Sequence, residues 1–497
     1  NKQHFIDNFE NRRVLLMPLD IAVDMDRNEQ ITFGADDKTT KDKPYRFWVN
    51  HDTDDSDTEE EPATIADHSN NTIDSKRDLE DFARLWFSAS GIQEALKNGD
   101  IELGFKWKNA TGSPSINLFW AADPDGYSDY VRDDDAATAQ VDGADYNTKL
   151  ITVSGNTATY VDKKVFAGLS DSVTETYFLF EGASEGKGEL TTVLRVNGVE
   201  SEGASEWLHL MHVKKMYQRS RATPLDADLI TDPHSISGPS TYTLPSMSYV
   251  DYPDGHNFEE DPDEVKTYLV YIPGWKNTYL KATKDCETFF KRLWHSGYRG
   301  RVKMFSWPSF TSALSYNDSD YRAWLSGKSL KKMIEALPSG YAVDIAAHSM
   351  GNVVAASALR EGVIVDDYIA MQAAIPAMCF DGSIVDFPDN ETPDSDTDPF
   401  TQNLGFKNKV PTGAATIWNL YLTSDPVTTT AWEANNYLLK PYTVVSSWYG
   451  YDSGRPAGQK VTLTFLTEIG RLLDKPIESM AFATASRSQA LGAKSQV

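Results

Sequence analysis

The sequence is short of cysteine, of basic charge and of long apolar runs, and each shortage excludes something. Its two cysteines in 497 residues, Cys286 and Cys379, fit neither a disulfide framework nor the paired Cys-x-x-Cys spacing of a zinc site. Both are expected to be buried thiols. Lys and Arg number 47 against 73 Asp and Glu, for a net charge of −26. Nucleic-acid backbones and anionic lipid surfaces repel such a polyanion, so neither is expected as the main partner, and acidic substrates are disfavoured too. No apolar run approaches the ~18 residues needed to cross a bilayer, so no transmembrane segment is expected. An initiator Met is also missing. The chain opens on Asn1, as a processed product or a fragment would.

Aromatic residues, by contrast, are plentiful: 12 Trp, 23 Tyr and 22 Phe within a 40% hydrophobic composition, material for several packed cores. At ~150 residues per domain, the length predicts two or three domains. The first 221 residues read as short strands between Gly, Asn and Asp clusters: Arg13 to Ala22, Tyr45 to Asn50, Ile101 to Lys106, Ile116 to Trp120, Lys149 to Val153, Thr176 to Phe180 and Leu190 to Val196. Asp78 to Ser88 is the clearest helical exception. This pattern suggests a β-rich, sandwich-like module, or two small β modules. Residues 222–263, with six prolines from Pro224 to Pro262, read as a linker.

From 264 to 497 strands alternate with helices. Strands are predicted at Tyr268 to Ile272, Val302 to Trp307, Val343 to Ala346, Asp367 to Ala373 and Ala415 to Leu422. Helices are predicted at Lys281 to His295, Tyr321 to Leu337 and Asn352 to Glu361. That alternation implies βαβ crossovers and a mostly parallel sheet. Residues 381–413, rich in Asp, are too long for a tight connection and read as a lid-like insertion or an acidic loop without a role.

The sharpest signal is the run Val343-Asp344-Ile345-Ala346-Ala347-His348-Ser349-Met350-Gly351-Asn352. A strand leads directly into a helix, and Ser349 stands between small residues at 347 and 351, as a nucleophile elbow requires. The alternative is a serine that only caps the helix. Together with Tyr268-Leu269-Val270-Tyr271-Ile272-Pro273-Gly274-Trp275, this run resembles the α/β-hydrolase superfamily, and within it bacterial serine esterase and lipase-like members. The likeness covers roughly Lys266 to Val497. It implies that Ser349 is a nucleophile acting on an ester or related acyl substrate. It also implies that the loop at Gly274 helps form an oxyanion hole from the N–H groups of Trp275 and Met350, although Pro273 stands where family members usually have His. Trp275, Phe305 and Trp307 fall near strand ends and could line an acyl pocket or simply fill the core.

In this fold the chain order is Ser, acid, His. Asp425, in Thr423-Ser424-Asp425-Pro426-Val427, resembles the acid-bearing turn and would orient the base; it could instead cap a helix. The histidines are His4, His51, His68, His209, His212, His234, His256, His295 and His348, and none follows Ser349. Three explanations stand open. The chain stops before the base, or an earlier histidine such as His256 or His295 supplies it, or the domain is inactive. His348 adjoins the serine, but neighbours on an elbow are expected to point apart.

Two acidic loops remain in the N-terminal half. Asp24, Asp26 and Asn28 place oxygen ligands at alternate positions, as the opening of a Ca²⁺ loop does, though Glu29 replaces the turn Gly and Ala35 the bidentate Glu. Asp52, Asp54 and Asp57 lie in a denser acidic run, His51 to Glu61. Each reads either as a Ca²⁺ site or as a solvated loop. The resemblance also implies a secreted or cell-surface multidomain protein, since bacterial proteins of that kind join acidic β modules to such hydrolase domains. The competing expectation is an inactive hydrolase-fold protein with an adhesive, filament-forming or other structural role; self-association is left open.

Overall fold

The computed structural model describes residues 19–32, 35–50, 71–73, 75–224, 246–252, 255–309, 316–373 and 414–420. The chain divides into two units. The first comprises Asn1–Met216, His256–Asp263 and Glu287–Arg299; the second comprises Tyr217–Gly255, Glu264–Cys286 and Gly300–Val497.

The first unit is built on an eight-stranded sheet. Its strands are β1 (Leu19–Ala22), β2 (Tyr45–Trp48), β3 (Phe82–Ala89), β4 (Glu102–Trp120), β5 (Ile151–Ser154), β6 (Thr159–Tyr160), β7 (Glu175–Val196) and β8 (Val199–Met211). Along the sheet the order is β1-β3-β7-β4-β5, with β8 also on β7, β2 on β8 and β6 on β4. Every pairing is antiparallel except β2 on β8. Short helices α1 (Gln93–Asn98), α2 (Asp129–Arg132) and α3 (Asp134–Asp142) lie between the strands.

Two runs that read as separate strands, 101–106 and 116–120, are the ends of the single strand β4, and 176–180 and 190–196 are likewise the ends of β7. The reason is local. Register shifts between Lys108 and Thr111 and between Gly112 and Ser115 bend β4 where the sequence carries Asn and Gly. A bulge therefore mimics a turn in the sequence. The β7–β8 hairpin closes on Asn197 and Gly198, at φ 50° and 80°, the left-handed pair that suits a two-residue hairpin turn.

The helix expected over 78–88 is a correction. Only Asp78–Asp81 is helical, as one 3₁₀ turn, and Phe82–Ala89 is strand β3, buried at every position. A strand buried on both faces loses its alternation, and an apolar run of that kind cannot be told from a helix by periodicity.

The second unit holds a seven-stranded sheet in the order β10-β9-β12-β11-β13-β14-β15, where β9 is Gln218–Thr223, β10 Ser248–Asp251, β11 Thr267–Ile272, β12 Arg301–Ser306, β13 Ala342–His348, β14 Val365–Met371 and β15 Ala414–Leu420. All pairings are parallel except that of β10 with β9. Helices α4 (Tyr279–His295), whose residues from Glu287 onward belong to the first unit, α5 (Tyr316–Glu335) and α6 (Gly351–Arg360) alternate with these strands along the chain. The expected strand–helix series from 268 to 420 is present, and the sheet extends further than expected. Strand β9 runs into the start of the expected linker and β10 lies within it, and both belong to this unit.

Helix α6 is buried from Gly351 to Leu359, so its sequence shows no polar face. Gly327 of α5 meets it at Ser357, whose hydroxyl donates to the Trp324 carbonyl oxygen at 2.7 Å; a Cβ at 327 would collide with that hydroxyl. Cys286 is buried. Cys379 lies outside the described residues.

In the first unit, Phe47 and Trp48 stack at 4.1 Å, and Trp294 packs edge-on against Trp48 at 5.2 Å. Beneath these rings Lys291 and Asp81 form a fully buried ion pair, N to O 2.6 Å, and the indole N–H of Trp48 donates to the same carboxylate oxygen. Removing one partner of such a pair strands a buried charge. Lys291→Met is therefore expected to lower unfolding free energy by ~3–5 kcal/mol, read as a shift in urea midpoint; a loss within experimental error would show that the charge is solvated.

Candidate functional site

Strand β13 ends at His348, and Ser349 and Met350 make the turn into α6. Ser349 sits at φ 49°, a left-handed conformation uncommon for a residue other than glycine. Several contacts hold it there. The N–H of Ser349 donates to the Met371 carbonyl oxygen at the end of β14, 2.9 Å away. The side-chain amide of Asn352 donates at 2.9 Å to the carbonyl oxygens of both Ala347 and Ser349, one on each side of the strained residue. Tyr368 on β14 in turn donates its hydroxyl to the Asn352 side-chain oxygen at 2.7 Å. Asn352 and Tyr368 are fully buried, and burial drives the Tyr368 phenol far above its ordinary pKa, so it remains a donor.

The small residues of the motif are required by packing. A Cβ on Gly351 would lie 2.6 Å from the carbonyl oxygens of Ile272 and Pro273, at the end of β11. A Cβ on Gly274 would lie 2.9 Å from both the Cβ of Ser349 and the Nδ1 of His348. The loop after β11 is thus pressed against the elbow, and only a glycine permits that approach. The loop is anchored by the indole of Trp307, which donates to the Pro273 carbonyl oxygen at 2.8 Å. It turns sharply at Lys276, φ 64°, whose ammonium lies 5.1 Å from the centre of the Trp275 ring.

Strands β12 and β13 lie on opposite sides of β11. The carboxyl ends of β11 and β13 therefore meet at a reversal of strand order, where open α/β sheets bind ligands. Of the residues expected here, Gly274, Ser349 and Met350 are brought together, with Trp275 next in the loop. Phe305 and Trp307 are buried in the core. Asp425 and the insertion 381–413 lie outside the described residues. The ring Nδ1 of His348 and the Cβ of Ser349 both border Gly274. Asn352 and Tyr368 were not anticipated as parts of the site, and Trp307, expected as a pocket or core residue, is buried and anchors the loop. Only the residue following the elbow glycine, a polar Asn opening an apolar helix, hinted at the first of them.

The two earlier histidines are engaged within the first unit. His295 is buried, with its Nε2 2.8 Å from the Glu80 carbonyl oxygen, and burial lowers its pKa to about 4. His256 stacks on His212 at 3.9 Å between ring centres.

In the first unit the carboxylates of Asp24, Asp26 and Asp37 approach one another within 4.8 Å. Asp37 joins from 11 residues downstream of Asp26, beyond the reach of a loop motif. Asn28 spends its side chain inside the turn, donating to Asp26 at 2.9 Å and accepting from the Gln30 N–H at 2.9 Å. Burial first, and then repulsion from Asp37 and Asp26, raises the Asp24 carboxyl to about 7. A second cluster, Asp123, Asp125 and Asp129, went unnoticed in the sequence despite its Asp-Pro-Asp-Gly spacing. There Arg84 lies 3.3 Å from Asp123 and already neutralises part of the charge. Asp52, Asp54 and Asp57 lie outside the described residues.

Residues 255–410 match the family model described as "Alpha/beta hydrolase of unknown function (DUF900)". The C-terminal half thus carries an α/β-hydrolase domain. No protein of curated function matches the chain. Among solved structures, the C-terminal domain of the Streptococcus pyogenes antigen I/II-family protein AspA is similar at 11% identity and a TM-score of 0.14, over 31% of this chain and 50% of that one. This chain thus spans about half of that structure's length.

Because Asp24 holds its proton more tightly folded than at the ~3.9 of an unperturbed Asp, the folded state binds more protons between these values. Its contribution to stability is fullest below pH ~4 and is lost as pH rises toward about 7. Asp24→Asn is expected to flatten the stability–pH curve in that window, where one proton gives a slope of at most ~1.4 kcal/mol per pH unit. Superimposable curves for the two proteins would refute the assignment.

Proposed function

We propose that the α/β-hydrolase domain is a serine hydrolase acting on an ester or related acyl substrate, with Ser349 as nucleophile. The observation that carries this reading is the left-handed backbone of Ser349 at a strand-to-helix turn, with Gly274 packed against its Cβ. A serine that only capped a helix would have no need of that strain. In the proposed reaction the Ser349 oxygen adds to the acyl carbonyl as a base takes its proton. The N–H groups of Trp275 and Met350 receive the oxyanion, the alcohol or amine leaves with a proton, and water then releases the acid. Asp425 would orient the base. No histidine follows Ser349, so the base comes from outside residues 350–497.

That same fact, together with the engagement of His295 by the Glu80 carbonyl, favours a second reading, an inactive hydrolase fold in a structural or adhesive surface protein. A fluorophosphonate probe separates the two. The first reading expects covalent labelling at Ser349 by mass spectrometry, abolished in Ser349→Ala; an unlabelled wild-type protein would support the second. Secretion or surface display, and self-association, belong to both readings as proposals.

We also propose that the N-terminal half binds Ca²⁺ through Asp24, Asp26 and Asp37. Three carboxylates within 4.8 Å, one of them held protonated near neutrality by burial and by the other two, form a charge excess that a hard divalent cation would relieve. At pH 8, millimolar Ca²⁺ is expected to raise the melting temperature, and Asp37→Asn to remove most of the increase. Equal melting with Ca²⁺ and with chelator would eliminate this site.

A further inference from the structure

We infer that Asn352 and Tyr368 act as a positioning pair that sets the reactivity of Ser349, an inference that rests on the serine-hydrolase reading above. A left-handed serine on a strand–helix turn is unfavourable and persists only where its surroundings over-determine it. Here one amide spans the strained residue. The Nδ2 group of Asn352 has two hydrogens, and carbonyl oxygens lie 2.9 Å away at Ala347, two residues before the serine, and at Ser349 itself. With both hydrogens so used, the Ala347–His348 peptide before Ser349 and the Ser349–Met350 peptide after it are tied to a single rigid group.

The amide must not turn over, because its oxygen would then face two carbonyl oxygens. Tyr368 prevents this. Its hydroxyl donates to Asn352 Oδ1 at 2.7 Å, and its burial keeps the proton on the phenol. The pair also links the elbow to the neighbouring strand, since β13 and β14 run in register from Ile345 and Tyr368 to His348 and Met371. Met371 then accepts the N–H of Ser349. The serine is therefore aimed by the sheet through two side chains that do not reach the reacting atoms. Positioning of this kind changes the rate of the chemical step more than binding, because small misplacements of a nucleophile are costly.

The test uses the whole chain and a fluorophosphonate, with the maximal labelling rate and the half-saturating probe concentration measured separately. Tyr368→Phe is expected to lower the maximal rate roughly 10-fold and Asn352→Leu roughly 100-fold, each with half-saturation unchanged. A role confined to stability would lower the melting temperature and leave the maximal rate of the folded protein as it was, which would overturn the inference. Absence of labelling in the wild type would instead overturn the serine-hydrolase reading, and this inference with it. A readout independent of labelling is the crystal structure of Asn352→Leu. Ser349 is expected to leave its left-handed conformation; a Ser349 still near φ 49° would overturn the positioning role even if labelling of the wild type succeeds.

Discussion

The left-handed backbone at Ser349 is the constraint on which the rest of the second unit is organised. It requires a strand end, an immediate helix start and small residues facing the turn. Each requirement reaches outward. Gly351 must be small because the carbonyls that end β11 lie against it. Gly274 must be small because the following loop lies against Ser349. Those two contacts bring the ends of β11 and β13 together, which is also where parallel α/β sheets leave a crevice for a ligand. The buried Asn352 and Tyr368 close the arrangement from the side of β14, so that three adjacent strands share in holding one residue in an unfavourable conformation.

Burial explains why the same polar groups hold the site. Asn352 is fully buried at the start of a helix whose next three residues, Val353, Val354 and Ala355, are buried too, and an amide left unsatisfied there would cost ~1–3 kcal/mol. Every one of its hydrogen-bonding directions used here is directed at the elbow or at Tyr368. The network is consequently all-or-none: satisfied, it fixes one geometry; broken at any member, it leaves a buried polar atom with nothing to bind. That property suits a nucleophile, whose usefulness depends on a single orientation.

Much of this was legible in the sequence, and the limits have physical causes. The alternation of apolar strands with helices from Tyr268 to Leu420 could be read because each element is short and ends in polar or glycine punctuation. The Ser349 elbow could be read because its constraints are local, falling within five residues. The partners from other strands could not. Tyr368 looks like any apolar strand residue, and Asp37 joins Asp24 and Asp26 only after the chain has turned back. The helix expected over Asp78 to Ser88 failed for a different reason, since total burial of β3 erased the alternation that marks a strand. In the first unit the irregularities of the β4–β7 pairing imitate turns, so each long strand reads as a pair of short ones.

Charge distinguishes the two units' devices more sharply than composition does. In the first unit, burial acts on ionised groups in opposite ways. Lys291 and Asp81 are charged and compensate each other under a layer of Trp rings. Asp24 has only like-charged neighbours in its cluster and is pushed toward its neutral form. In the second unit the elbow uses no ionised group among the described residues that hold it; carbonyls, one amide and one phenol suffice. A strained serine held by neutral dipoles keeps its geometry across a wide range of pH. The Asp24 carboxyl of the first unit, by contrast, is raised to about 7, so its charge changes near neutrality while the neutral groups that hold Ser349 keep theirs.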